Sequence, residues 1–371
     1  MPLAKKIIIA GGGTGGHIFP AIAIANALKK ISPDTEILFI GAKGKMEMEK
    51  IPQAGYKIEG IDIAGFNRSS IWKNITLPFK LIKSFFQVRN HLIRFMPDAV
   101  IGVGGYSSFP VLRYAQGRGI PTFIHEANSF AGKSNKLLSK KAHAVFVGGE
   151  GMEKFFPADK IIITGNPVRS EIIRSSITRN EASAFFSLDP SKTTVLSVGG
   201  SLGARSINEA MREGLDKLEA EGIQLIWQTG KEYAPTAAQA VKDRKGFFTS
   251  EFITRMDLAY KAADIVVSRA GAMAIAELAV VDKPVIFVPY PHAAENHQEV
   301  NATRLVEKDA GIMVTDANCA ASLIDTVIEL AKDQERQERM KNNIRAFSYM
   351  DADTRVAEEV FNRITIKGQP S

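Results

Sequence analysis

Residues 7–28 read IIIAGGGTGGHIFPAIAIANAL, and the reading of this stretch decides the fold. Ile7, Ile8 and Ile9 are β-branched and read as a buried strand. Gly11, Gly12, Gly13, Gly15 and Gly16 follow as a loop that glycine traces freely, because positive φ is cheap without a Cβ. Pro20 is expected in the opening turn of an apolar, Ala-rich helix, where a missing N–H costs nothing. Such a strand–loop–helix turn gathers backbone N–H groups and a helix dipole at one point, which suits an anion or the oxygens of a sugar. His17 stands at the mouth of the loop. The dipole there favours a neutral imidazole that accepts a proton; the alternative is a helix cap or a hydrogen bond to a ligand oxygen.

The signature returns twice. VLSVGGSLGA at 195–204 echoes IIIAGGGTGG at 7–16, and IGVGGYSS at 101–108 is a weaker instance. Apolar runs alternating with helical stretches place strands at 6–10, 36–40, 57–62, 99–103, 121–125, 144–147 and 161–164. A second set falls at 193–198, 223–228, 246–249, 264–267, 284–288 and 312–314. The pattern is α/β, two doubly wound parallel sheets whose ligands bind at the C-terminal ends of strands. The break is expected near TGNPVR (164–169), giving domains of 1–168 and 169–349. A charged amphipathic helix is expected at 334–348, and a last helix within 350–371 should return to the first domain.

An apolar fraction of 45% excludes disorder as the main theme. No apolar run approaches the ~20 residues a membrane span needs, and MPLAKKIIIAGGG does not read as a signal peptide. The single cysteine, Cys319, fits a reducing cytoplasm. The net charge of +7 is unevenly placed: residues 1–165 hold 22 basic and 11 acidic side chains, so the remainder is mildly acidic. Residues 63–97 carry no acid, but they carry Arg68, Lys73, Lys80, Lys83, Arg89 and Arg94 among Ile71, Trp72, Ile75, Ile82, Phe86 and Ile93. This stretch reads either as a basic amphipathic helix on an anionic membrane or as a packing helix with a solvated face. A second acid-free stretch at 127–149, with Lys133, Lys136, Lys140 and Lys141, tilts the reading toward the membrane. No nucleic-acid motif accompanies the charge, so nucleic acid is not an expected partner.

Gly11-x-Gly13-x-x-Gly16 matches the dinucleotide fingerprint, which requires an acid at the end of the second strand. EILFIG ends in Gly41, and Glu36 lies at its wrong end, which argues against a dehydrogenase. GKS at 132–134 follows Ala127 where a phosphate-binding loop needs glycine. The six histidines show no metal-ligand spacing. His125-Glu126-x-Asn128 sits at a strand exit and reads equally as ligand-binding or as a loop network. The richest stretch, 263–302, runs from a strand into Ser268-Arg269-Ala270-Gly271 and then into a helix. Its N-terminus suits a phosphate, and Glu277, flanked by Ala274, Ile275, Ala276 and Leu278, suits both hydroxyls of a ribose. Asn296, His297 and Gln298 follow the next strand, and Asp351 and Asp353 read as helix caps rather than a metal-binding D-x-D.

GGGTGGHIFPAIAIA, GVGGYSSFP, HEANSFAGKSNKLL, TGNPVR, VGGSLGARSIN, WQTGK, EFITRM, SRAGAMAIAEL and ENHQEVNA occur in this order over about residues 5–350. Together they resemble the bacterial MurG glycosyltransferases. The resemblance implies a GT-B fold, two Rossmann-like domains facing across a deep cleft. It also implies inverting transfer of GlcNAc from UDP-GlcNAc to lipid I, giving lipid II at the cytoplasmic face of the cell membrane. His17 is then the expected base, and no obligatory metal or other cofactor is expected. Thr14, Gly15, Gly16 and Asn128 should meet the donor from the first domain, with Arg169 and Ser201 near the diphosphate. Ile253 should read uracil through its backbone. Arg269 should meet UDP-GlcNAc, Ala272, Met273, Ala274, Ile275, Ala276 and Glu277 should bind its diphosphate and ribose, and Gln298 the sugar. Gly104, Gly105, Tyr106, Ser107, His125 and Glu126 are expected on the acceptor side. His297 and Leu202 stand where the family pattern has glutamine. The implied partners are UDP-GlcNAc, lipid I, an anionic inner membrane met by residues 68–95, and cell-wall and division machinery. The alternatives are a diacylglycerol-type GT-B transferase, a UDP-GlcNAc 2-epimerase of the same fold, and a non-catalytic nucleotide-sugar-binding membrane protein.

Overall fold

The structure, a computed structural model, describes residues 4–64, 77–173, 175–200, 202–293 and 296–365. Ser201 and, from the basic stretch, Arg68, Ile71, Trp72, Lys73 and Ile75 lie outside the described residues. The chain divides into two units, Met1–Arg169 with Tyr349–Ser371, and Ser170–Ser348.

The first unit holds β1 (Lys6–Ala10), β2 (Glu36–Ala42), β3 (Lys57–Ile61), β4 (Ala99–Gly102), β5 (Thr122–Glu126), β6 (Ala144–Val147) and β7 (Ile161–Ile163). They form one parallel sheet in the order β3-β2-β1-β4-β5-β6-β7. The second unit holds β8 (Thr194–Val198), β9 (Gln224–Gln228), β10 (Phe247–Ser250), β11 (Ile265–Ser268), β12 (Val285–Phe287) and β13 (Ile312–Met313). Its sheet, also parallel, is ordered β10-β9-β8-β11-β12-β13. All thirteen strands expected from the sequence are present, with ends displaced by at most two residues.

Parallel strands are covered by helices on both faces, so they read as unbroken apolar runs. In β1, Ile7 and Ile9 pack with Ile18, Ala21, Ile24 and Leu28 of the helix Gly15–Ile31. Ile8 points the other way, toward Ile40, Val100 and Leu112. The last helix, Ala352–Thr365, adds Val356, Ala357, Val360 and Ile364 to the face shared with the helix Gly15–Ile31. Asp353 lies in its first turn and accepts from Thr354 N at 2.8 Å, while Asp351 directly precedes it. In the second unit, Trp227 is fully buried among Ile207, Met211, Leu323 and Val327.

Both sheets reverse their winding direction beside their first strand, between β1 and β4 and between β8 and β11. Crevices for ligands form at such switch points, outside the C-terminal ends of the strands. The four glycine-bearing turns leave those four strand ends.

One expectation needs correction. The first helix begins at Gly15, so Pro20 is an interior residue and not part of its opening turn. Thr14 O accepts from His17 N at 3.1 Å and Ile18 N at 3.2 Å, which closes the first turn ahead of the proline. Positive φ stops at Gly13, and Gly15 and Gly16 are helical. Pro20 therefore leaves the carbonyl of Gly16 without its usual donor four residues on.

Candidate active site

At the exit of β1 the glycine loop turns its N–H groups inward. Gly11 N donates to Ile40 O at 3.2 Å and Gly12 N to Gly104 O at 3.3 Å. Gly13 N donates to Glu47 Oε2 at 2.8 Å, and the other oxygen of Glu47 accepts from Ala42 N at 3.0 Å. The sequence suggested a cradle here for an anion or for the oxygens of a sugar. With three N–H groups committed and a carboxylate against Gly12, residues 11–13 offer no backbone donor to an anion. Glu47 carries no local motif; its only signal is that it follows β2.

His17, the third residue of its helix, is half-buried. Its Nδ1 lies 3.1 Å from Gly12 O and 3.4 Å from Thr14 Oγ1. A carbonyl only accepts, so Nδ1 carries the proton in that bond and Nε2 keeps its lone pair. Burial pushes the imidazole below its ordinary pKa, partly opposed by Glu126, by the bond to Gly12 and by Glu47. A neutral imidazole thus stands at this strand exit. Its Nε2 edge lies against Gly104, whose φ is +98°, and a Cβ there would stand 2.7 Å from Nε2.

Gly104 and Gly105 both have positive φ, Tyr106 is exposed and Ser107 is buried. His125 is buried, with Gly165, Asn166 and His17 beside it, and neither ring nitrogen makes a hydrogen bond of good geometry. Burial first, and His17 second, push its pKa down to about 4. For Glu126 the sequence left ligand binding and a loop network open, and the structure shows the network. Its oxygens accept from Asn128 N and Nδ2 and from Gly132 N, each at 3.1 Å, and from Asn135 Nδ2 at 2.9 Å. The carbonyl oxygen of the Asn128 side chain takes no part in this network. Thr14 and Gly16 are exposed and Gly15 is half-buried. Arg169 stacks its guanidinium 4.8 Å from the centre of the Phe19 ring.

The second unit places its carboxylate differently. The helix Ala272–Val280 starts after Gly271 with no acid in its first turn and no side-chain cap. The N–H groups of Ala272, Met273 and Ala274 precede the first intrahelical bond, Ile275 N to Gly271 O at 3.0 Å. Ala272, Met273, Ala274, Ile275 and Ala276 are half-buried, and Glu277 is buried behind them. Tyr260 OH donates to Glu277 Oε2 at 3.0 Å, a partner seventeen residues away that no local pattern signals.

Three further residues set this site's shape. Arg269 was expected on the donor, but its guanidinium is used inside the unit. It donates to Val288 O at 3.0 Å, Pro289 O at 3.2 Å, Asp316 Oδ1 at 2.5 Å and Ser206 Oγ at 3.3 Å. It therefore ties the exits of β11, β12 and β13 together. Gln228, at the end of β9, donates to Gly200 O at 3.1 Å and accepts from Ile253 N at 2.9 Å, so it holds the Ile253 backbone by its N–H and not its carbonyl. Gln298 Oε1 accepts from Tyr290 N at 3.0 Å, which leaves its amide hydrogens to donate outward. Leu202 is 88% exposed beside this site. Among the described residues no group of three or more His, Cys, Asp or Glu is placed to hold a metal ion.

The family model for the glycosyltransferase family 28 N-terminal domain matches residues 7–147, and that for its C-terminal domain matches residues 194–356. The chain belongs to glycosyltransferase family 28. Within the family it is 49% identical to the UDP-N-acetylglucosamine–N-acetylmuramyl-(pentapeptide) pyrophosphoryl-undecaprenol N-acetylglucosamine transferase of Parabacteroides distasonis, over 98% of this chain and 99% of that one. The crystal structure of MurG from Acinetobacter baumannii superposes with a TM-score of 0.75 at 27% identity, covering 96% of this chain and 99% of that one. A UDP-GlcNAc 2-epimerase from Neisseria meningitidis reaches a TM-score of 0.66 at 16% identity, over 96% of this chain and 100% of that one. That likeness is one of fold alone. Both halves of the family 28 signature are present, and the chain is a glycosyltransferase of the MurG type.

Two predictions follow from this geometry. In this family 28 enzyme, Gly104→Ala should displace the His17 ring and lower kcat by ~10- to 100-fold with the KM for UDP-GlcNAc nearly unchanged, as steady-state kinetics will show. His125 binds its proton in the unfolded chain near pH 6.5 but in the folded chain only near pH 4. Its contribution to stability is therefore complete above pH 6.5 and falls away as pH drops toward 4, by up to roughly 3 kcal/mol. Denaturant titrations between pH 7 and 4 should show a shallower decline in His125→Gln than in the parent.

Proposed function

We propose that the chain transfers GlcNAc from UDP-GlcNAc to the 4-hydroxyl of MurNAc in undecaprenyl-diphospho-MurNAc-pentapeptide, lipid I, to give lipid II for peptidoglycan synthesis. The observation that carries this reading is the contrast between two turns. One presents helix N–H groups clear of any acid, with buried Glu277 behind them. The other has its loop donors taken, one of them by a carboxylate, and presents a histidine with a free Nε2.

The donor is α-linked and the product β-linked, so the step is one in-line displacement. The acceptor oxygen forms a bond to C1 of GlcNAc as the bond from C1 to the β-phosphate oxygen breaks. The electron pair leaves with UDP, and the hydroxyl proton passes to Nε2 of His17. The N–H groups of Ala272, Met273 and Ala274 receive the charge growing on the diphosphate, with no metal assigned a part. Glu277 holds the ribose, the carbonyl of Ile253 accepts from uracil N3–H, and Gln298 donates to sugar hydroxyls. Thr14, Gly15, Gly16 and the carbonyl oxygen of Asn128 meet GlcNAc. Gly104, Gly105, Tyr106, Ser107 and His125 border the acceptor.

The lipid is reached at an anionic membrane. The helix Leu77–Phe95 turns Val88 and Leu92 into the core, while Phe79, at 74% exposure, and Ile82, Phe86 and Ile93 remain in solvent. Lys80, Lys83 and Arg89 are exposed among them. No helix among the described residues is long and apolar enough to cross a membrane. A greasy, cationic face fits peripheral attachment to the cytoplasmic leaflet. Cell-wall and division proteins are the partner class that this location implies.

UDP release with a soluble lipid I analogue tests the chemistry. His17→Ala should lower kcat by ~10²- to 10⁴-fold, and a loss below about tenfold would remove His17 from the role of base. Glu277→Ala should act mainly on the KM for UDP-GlcNAc, and an unchanged KM would refute the ribose assignment. For the membrane, the pair Phe86→Ser and Ile93→Ser should abolish co-sedimentation with anionic vesicles and leave turnover of the soluble analogue intact.

A further inference from the structure

Glu47 is 1% exposed and belongs to no binding or catalytic role derived above. Its two oxygens accept from Ala42 N and Gly13 N. Its side chain fills the space over two glycines: a Cβ on Gly12 would stand 2.3 Å from Cδ of Glu47, and one on Gly41 2.6 Å from its Cγ. Among the described residues no lysine or arginine forms an ion pair with it. Two neutral N–H groups need only two neutral acceptors, which a backbone carbonyl or an amide supplies without burying a charge. The negative charge is thus what the scaffold alone does not explain.

The peptide of Gly12 separates this carboxylate from His17. Gly12 rests on Glu47, and its carbonyl oxygen takes the Nδ1–H of His17. We propose that Glu47 is a positioning residue for the transfer step: it fixes the loop so that Gly12 O orients the His17 ring, and its buried charge stabilises the imidazolium formed when Nε2 takes the acceptor's proton. The groups facing His17 are Glu126 and His125 from β5, the Gly12 carbonyl, the Thr14 hydroxyl and Glu47. Of the two carboxylates, Glu126 has its charge spread over four donors, whereas Glu47 has two. Both oppose the downward pull of burial on His17, Glu126 more strongly than Glu47.

The inference rests on His17 as the base and is tested separately from it. Glu47→Gln and Glu47→Asp in the full chain are assayed for GlcNAc transfer to the soluble lipid I analogue across pH. Glu47→Gln removes the charge and turns an NH₂ group toward one of the two backbone donors. It should lower kcat by ~10- to 100-fold and move the acidic limb of kcat/KM to lower pH, with the KM for UDP-GlcNAc changed by less than about threefold. Glu47→Asp keeps the charge but cannot reach both N–H groups. Its kcat should fall by about fivefold or more with the acidic limb in place. This variant also serves if Glu47→Gln does not fold. Parent-like kcat in either variant, or lost kcat in Glu47→Gln with an unmoved limb, overturns the proposal. If His17→Ala is inactive while both Glu47 variants match the parent, only this inference fails. An active His17→Ala instead removes the base on which it rests.

Discussion

Gly11, Gly12 and Gly13 give their N–H groups to Ile40, Gly104 and Glu47, and the character of the first unit's site follows from that commitment. A glycine loop between a strand and a helix normally offers those donors to a phosphate. Here they are taken, and a carboxylate occupies the approach. What remains at the strand exit is a half-buried imidazole whose tautomer is set by a carbonyl it cannot receive a proton from. The second unit has the same winding, and its helix Ala272–Val280, like Gly15–Ile31, begins without acid or cap; its carboxylate Glu277 is buried within that helix instead of lying against the loop. One topology, used twice, thus yields one site suited to basic chemistry and one suited to an anion.

Much of this was legible in the chain because parallel strands covered on both faces read as apolar runs such as IIIA and VLSV, and glycine marks where each run ends. The helix start at Gly271 and the burial of Glu277 were legible for a similar reason, since small and apolar neighbours leave a single acid conspicuous. What stayed hidden was supplied from a distance. Tyr260 reaches Glu277 across seventeen residues, Gln228 holds Gly200 and Ile253 from the end of another strand, and Glu47 reaches Gly13 across thirty-four. None of these has a spacing that a local pattern detects. Arg269 is the converse case: it was expected on the donor, yet Asp316, forty-seven residues on, holds the guanidinium. Pro20 was displaced because two of the five loop glycines are helical, so glycine content alone overstated the length of the loop.

Polar residues at these exits also divide into those that face a ligand and those that hold the facing residues still. Glu126 gathers Asn128, Gly132 and Asn135 into one loop, and Asn301 Nδ2 holds Ala270 O at 3.1 Å beneath the turn that precedes Gly271. Such supports make the exposed groups rigid, so that binding need not first order them.

The helix Ala352–Thr365 completes the core that carries the helix Gly15–Ile31, although the whole of the second unit intervenes in sequence. A nascent chain therefore releases its inner, contiguous unit in finished form while the earlier-made one still lacks a wall. Until translation ends, Ile24, Leu28 and their neighbours have an uncovered greasy flank, the kind of surface that chaperones recognise. The order of synthesis and the order of consolidation run in opposite directions in this molecule.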